Sequence, residues 1–244
     1  ISGLAYALPP GVLDHSELQQ RFGSDEMDRL VVNTGITSRR VSLQSECASD
    51  LAVTAAEALF KNSNVDPSTI DFVIFATQMP DYLMPTTACI LQNRLGISTS
   101  AGAFDINLGC SQYVYSHGTA YALVNSGLAK KVLVMTGDTP SRIVNPLDRA
   151  VVPLFGDAGT AAIIEDVGES GGFQKFAFGS DGSEYQSLIW PTSGMREKKD
   201  ETSVVEAADK SGAVRSRNDM YMDGQRIFLF TLKTVPRTLK EFLA

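Results

Sequence analysis

The feature that most restricts the fold is a pair of near-continuous apolar runs, Ile70 to Ala76 (IDFVIFA) and Lys131 to Thr136 (KVLVMT). Strands without polar alternation belong to sheets covered on both faces, since an open face would leave every second apolar side chain in water. Helical patterns surround these runs. Ala48 to Phe60 puts Leu51, Ala55, Ala58 and Leu59 on one face, Thr86 to Leu95 follows, and Ser111 to Ser126 is rich in Ala, Tyr, Val and Leu. Strands alternating with helices of about ten or more residues predict a parallel α/β sheet with right-handed crossovers.

The remaining segments fit around that frame. Ile1 to Ala7 reads as a first strand closed by Pro9-Pro10, and helices are expected at Ser16 to Phe22 and Ser24 to Asn33. The second ends at Thr34-Gly35, where Gly suits a left-handed position. Ile36 to Leu43 has strand character. Phe155-Gly156-Asp157-Ala158-Gly159 is a glycine turn running into a strand at Thr160 to Ile164; it lacks the Gly-Lys-Ser/Thr ending of a phosphate loop. Beyond Gly168, residues Gly171 to Pro191 suggest two antiparallel strands about Ser180-Asp181-Gly182-Ser183, and Arg196 to Asn218 is charged and loop-like. From Met220 the spacing of Phe228, Leu232, Val235, Leu239 and Phe242 predicts a helix, which Pro236 should kink or interrupt.

Composition narrows the class. With 244 residues, 43% apolar and 20% charged, the chain can bury a substantial core. A net charge of -7 argues against a general nucleic-acid binder. Three cysteines without metal-ligand spacing and two histidines, His15 and His117, fit a reducing compartment and leave little room for a zinc site. No segment is long and apolar enough to span a bilayer, so the expected location is the cytoplasm, without membrane partners.

Chemistry concentrates at Phe104-Asp105-Ile106-Asn107-Leu108-Gly109-Cys110-Ser111-Gln112. Ala103 to Ile106 reads as a buried strand, Leu108-Gly109 as a turn, and Cys110 stands at or just before the next helix, where amide N–H groups and the macrodipole favour an anion. A free thiol has a pKa of about 8.5, and lowering it by about 1.5 units takes about 2 kcal/mol. A helix N-terminus alone supplies about 0.3 to 1 kcal/mol, reaching about 2 in partly buried geometry. From position alone Cys110 is either a nucleophile or a small buried hydrophobe.

Those residues, taken with Phe155 to Gly159 and Asn145-Pro146-Leu147-Asp148-Arg149, resemble the β-ketoacyl-acyl-carrier-protein synthase III family of the thiolase superfamily. The resemblance is collinear from Thr34-Gly35-Ile36 to Met222-Asp223-Gly224-Gln225-Arg226-Ile227-Phe228. It implies a five-layered αβαβα sandwich of two similar halves. Residues 1–166 would form the nucleophile-bearing half and residues 167–244 the opening of an incomplete second half. The family's catalytic His and Asn would lie in a portion absent from this sequence. His117 stands about two helical turns, or about 10 Å, beyond Cys110, so a packed or surface helix position is expected for it, and a loop position for His15.

The resemblance further implies that Cys110 takes an acyl group from a thioester and that the parent enzyme condenses it with malonyl-acyl-carrier-protein, with decarboxylation. No cofactor or metal is implied; acyl-coenzyme A or acyl-carrier-protein and malonyl-carrier-protein are substrates, carrier protein is a partner, and a homodimer is expected. The coenzyme A contacts at the pocket mouth, a Trp and an Arg in the family, correspond to Arg29 and Asn33, while Arg149 is retained. Loss of the indole removes a stacking platform and turns expectation toward a carrier-bound donor, although Arg29 can stack or meet a phosphate or be a solvated helix residue. Met84 matches the place where a residue of the partner subunit closes the acyl pocket, and Phe228 one near the entrance; both are open to a reading as core packing. The alternatives are an acyltransferase of the same fold acting without decarboxylation, and a non-catalytic dimerising or carrier-docking partner.

Overall fold

The computed structural model describes residues 1–168 and 175–244. In chain order the main elements are β1 (Gly3–Ala7), β2 (Gly11–Asp14), α1 (His15–Phe22), α2 (Ser24–Thr34), β3 (Ser38–Val41), α3 (Ala48–Ser63), β4 (Phe72–Ala76), α4 (Thr87–Arg94), β5 (Gly102–Ile106), α5 (Gln112–Asn125), β6 (Lys131–Asp138) and β7 (Ala158–Glu165). They are followed by the short strands β8 (Leu188–Ile189), β9 (Ala207–Ala208), β10 (Val214–Arg215) and β11 (Tyr221–Met222), and by α6 (Gly224–Leu243).

The chain packs as two compact units, each discontinuous in sequence. The first comprises residues 1–11, 40–139 and 157–176, the second 12–39, 140–156 and 177–244. This packing partition is separate from the division at 166/167, which the resemblance to a repeated fold implies.

The first unit is built on a five-stranded sheet of order β1-β7-β6-β4-β5. β4 runs parallel to both β5 and β6, as expected. β7, however, pairs antiparallel with β6 and with β1, so the sheet is mixed. Alternation along each strand sorts the core onto two faces. Val73, Phe75, Leu133, Met135, Ala161 and Ile163 pack with residues of α3 and α4. Ile74, Val132, Val134 and Ile164 pack with Ala120 of α5 and with Ala129. This two-sided covering is why the strands read as unbroken apolar runs.

The glycine segment at 155–159 turns out to serve packing. Gly159 lies within β7, and a Cβ there would come 2.5 Å from the Leu51 carbonyl carbon and 2.7 Å from the Ala52 nitrogen. Backbone of α3 therefore rests directly on β7, an approach that any side chain would block. α3 is capped by Cys47, whose N–H donates to Asp50 Oδ2 at 2.8 Å in a reciprocal capping box.

The second unit has its own core of Leu18, Met27, Val144, Val151, Val152 and Met220. Three expectations are corrected here. The antiparallel pair about 180–183 does not form among the described residues: β8 pairs instead with β11, and residues 171–174 of the expected strand lie outside the description. The segment 196–218 includes a short ladder, β9 with β10. Pro236 sits inside α6 and does not interrupt it. Gly35 ends α2 in the left-handed region at φ 72°, as its position suggested.

Candidate active site

The strand–turn–helix at 102–125 is local chemistry made rigid by distant partners. β5 ends at Ile106, residues 107–111 turn, and α5 starts at Gln112. Cys110 is an exposed free thiol immediately before the N-cap, Ser111. Ser111 makes no side-chain capping bond, while the Gln112 N–H of the first turn donates to the Gly109 carbonyl at 2.8 Å. The bland reading of Cys110 as a small buried hydrophobe does not hold. Cys89 is likewise exposed and Cys47 half-buried.

Two carboxylates of the buried strands shape this end of the sheet. Asp105 of β5 accepts from Thr87 N and Ala88 N, both at 2.7 Å, and so caps α4, whose own N-cap Thr86 contributes no side-chain bond. Asp138, the last residue of β6, accepts through Oδ1 from Thr77 Oγ1 and Gln78 N at 2.9 Å and through Oδ2 from Gln112 Nε2 at 3.2 Å. The first residue of the helix after Cys110 is thus tied to the ends of β4 and β6. Burial raises the Asp138 carboxyl above the usual carboxylate range, and the charge of Asp157 adds to the rise, while the three hydrogen bonds oppose it. Gln78 also lies against the turn: a Cβ on Gly109 would come 2.4 Å from its Oε1. Thr77, Gln78 and Asp138 were not singled out from sequence, and Gln112 only as the last residue of the Cys110 stretch; the available signal for the first three was a polar residue following each buried run.

His117 stands in α5 against aromatic rings, 5.9 Å between centroids to Tyr113 and 5.4 Å to Phe176. Burial lowers its pKa, as expected for a packed imidazole. His15 is no loop residue: it opens α1, and its Nε2 is 2.7 Å from Asp28 Oδ1 of α2.

The other expected residues are distributed as follows. Cys110 and Met84 belong to the first unit, and Arg29, Asn33, Arg149 and Phe228 to the second. Met84 is 86% exposed beside exposed Tyr82 and Leu83, which removes the core-packing alternative for it. Phe228 is 60% exposed on α6 in this chain. Arg29 and Asn33 are both exposed and four residues apart on one face of α2; Arg29 Nε donates to the Asp25 carbonyl at 2.9 Å. Arg149 is engaged. Its Nε donates to Glu26 Oε1 at 3.0 Å, and its Nη2 to Glu26 Oε2 and to the Phe22 carbonyl, the latter at 3.2 Å.

The second unit also carries a cavity of about 840 Å³ bordered by Tyr185, Trp190, Met195, Arg215, Arg217 and Tyr221. None of the expected site residues lines it. Among the described residues no cluster of His, Cys, Asp and Glu is suited to a metal ion, and no helix is long and apolar enough to cross a membrane.

Comparison with known proteins gives a consistent result. A family profile described as 3-oxoacyl-(acyl-carrier-protein) synthase III matches residues 104–182. A protein of Campylobacter jejuni named putative 3-oxoacyl-(acyl-carrier-protein) synthase 3 is 34% identical over 246 residues, covering 100% of this chain and 69% of its own. A β-ketoacyl-(acyl-carrier-protein) synthase III of Fusobacterium nucleatum is 34% identical, with 100% and 71% covered. A crystal structure of a 3-oxoacyl-(acyl-carrier-protein) synthase III superposes with a TM-score of 0.95 at 43% identity, over 100% of this chain and 72% of the other.

Proposed function

The chain belongs to the 3-oxoacyl-acyl-carrier-protein synthase III family, and from that premise we propose how its residues share the work of such a condensing enzyme. The layering of α3 and α4, sheet, and α5 is the αβα part of the family's thiolase-like αβαβα sandwich. The exposed thiol of Cys110 before α5 is the observation that carries the assignment of the nucleophile.

In this reading the Cys110 thiolate attacks the carbonyl carbon of an acyl thioester. The tetrahedral oxyanion collapses, the bond from carbonyl carbon to the carrier's sulfur breaks, and the carrier departs as a thiolate that takes up from solvent the proton Cys110 gave up on ionising. An acyl-enzyme remains, so one difficult transfer becomes two easier ones. The N–H of Cys110 is our candidate donor to the oxyanion. His117 is too far along α5 to exchange this proton, about 10 Å of helix rise from the nucleophile. The parent enzyme then condenses the acyl group with malonyl-carrier-protein as carbon dioxide leaves. No cofactor enters the scheme. Residues 1–166 supply the nucleophile-bearing half, and acyl carrier protein is the partner.

We further place Arg29, Asn33 and Arg149 on the donor side and Met84 and Phe228 along the acyl path. The exposed Tyr82-Leu83-Met84 segment and the edge position of β5 support a homodimer in which the sheet continues across a twofold axis. Three free cysteines fit work in the cytoplasm.

The test is intact-mass analysis of the protein after incubation with acyl-coenzyme A or acyl-carrier-protein, beside Cys110→Ala. An acyl mass increment on the unmodified protein and none on the variant is expected. No increment from any thioester, or an increment that survives Cys110→Ala, overturns the assignment.

A further inference from the structure

Resting on the reading of Arg149 as the donor-side cation, we propose that Glu26 is a specificity-determining residue, which withholds Arg149 from the phosphates of coenzyme A and so favours acyl donors carried on protein. The geometry is specific. Guanidinium offers five N–H donors, and three are taken: Nε and one Nη2 hydrogen by the two oxygens of Glu26, the other Nη2 hydrogen by the Phe22 carbonyl. The edge formed by Nε and Nη2, one of the two that can grip a phosphate with parallel bonds, is closed by Glu26. The edge formed by Nη1 and Nη2 shares its inner donor with Phe22, and the Gly212 backbone lies against Nη1, where a Cβ would come within 3.3 Å.

Glu26 is itself held in place. It sits with Asp25 in the first turn of α2, where the helix dipole favours a carboxylate. A phosphate approaching Arg149 therefore meets a carboxylate already docked on the cation it needs, and like charge repels it. Coenzyme A brings a diphosphate and a further ribose phosphate to the protein, whereas a carrier-bound arm brings a single phosphodiester. The penalty is larger for the more highly charged donor.

The measurement is the rate of Cys110 acylation, by mass, from one acyl group presented on coenzyme A, on acyl carrier protein and on unphosphorylated pantetheine, for the unmodified protein, Glu26→Gln and Glu26→Gln/Arg149→Gln. Glu26→Gln keeps the side chain's length and removes its charge. It is expected to raise kcat/KM for the coenzyme A donor by about tenfold, mainly through KM, as freeing one charge-assisted pair implies. The carrier-bound donor should change far less and the pantetheine donor not at all. Adding Arg149→Gln should abolish the gain. Equal shifts for all three donors, no shift for coenzyme A, or a gain that survives Arg149→Gln each overturn the proposal while leaving the acyl-enzyme reading standing. Absence of any Cys110 adduct from all three donors overturns both. Melting temperatures of the variants verify that each is folded.

Discussion

In the first unit α3 lies so close on the sheet that a Cβ at Gly159 would stand 2.5 Å from the Leu51 carbonyl carbon, whereas the second unit is tied by guanidinium groups set between carboxylates. Its fully buried Asp148 accepts from Arg215 Nε at 2.8 Å, Arg215 also meets Asp209 at 3.0 Å, and Arg149 meets Glu26. The Cys110 turn thus stands on a scaffold set by backbone contact and apolar packing and is joined to it through the Asp138 carboxylate. The candidate donor-side residues belong to a unit that adds charge pairs to an apolar core, one buried (Asp148 with Arg215) and one partly exposed (Glu26 with Arg149).

The sharpest way to break this contrast is Gly159→Ala. If backbone contact sets the first unit, a methyl there must push α3 off β7, because helix backbone rather than a flexible side chain faces it. A loss of about 3 kcal/mol or more is expected, at or beyond the upper end of ordinary overpacking. Urea unfolding with the m-value compared between variants measures it. A loss under about 1 kcal/mol would show that α3 can shift freely, and the contrast would fail on its first side.

The matching test in the second unit is Arg215→Met, with Asp148→Asn as its partner in a double-mutant cycle. Asp148 keeps the N–H of Ala150 at 3.0 Å but loses its cation while buried, so a loss of about 2 kcal/mol is expected, somewhat below the usual cost of orphaning a buried charge. The double variant should recover part of it, since what costs is the unpaired charge and not the missing bond. If both singles and the double fall by additive amounts, the pair is not the organising contact of this unit.

How much of this was legible in the sequence follows from the range of each interaction. The strands IDFVIFA and KVLVMT declared themselves because burial on both faces removes nearly every polar residue from a run. Cys110 declared its position because strand, glycine turn and helix are consecutive. The direction of β7 did not, as an apolar strand reads alike whether its neighbour runs with it or against it. Asp105 stood out inside an apolar run, but the amides it caps at Thr87 and Ala88 precede it by 18 and 17 residues. Glu26 and Arg149 are 123 residues apart, and no local pattern joins them. His15 was read as loop because its role is to open α1 and reach Asp28 on another helix.

Asp138 gives the smallest effect and the most direct probe of the join between scaffold and nucleophile. Its folded carboxyl titrates above the ordinary carboxylate range because burial disfavours the charged form. A group so shifted contributes stability that is fully present below its unfolded pKa and is lost as pH rises through its folded pKa. Asn cannot titrate, so the stability of Asp138→Asn relative to the unmodified protein should improve as pH is raised from below the ordinary carboxylate range through and above the raised value. The replacement can keep its bonds: Asn Oδ1 accepts from Thr77 and Gln78, and its amide N–H can meet Gln112 Oε1, a buried acceptor without a hydrogen-bond partner, if that amide turns over. Thermal melts of both proteins across the acid range measure the difference. A difference that is flat with pH would mean Asp138 titrates as it does in the unfolded chain. One that worsens with rising pH would mean its charge is stabilised, and the hydrogen bonds from Thr77, Gln78 and Gln112 would then outweigh burial at the base of the nucleophile turn.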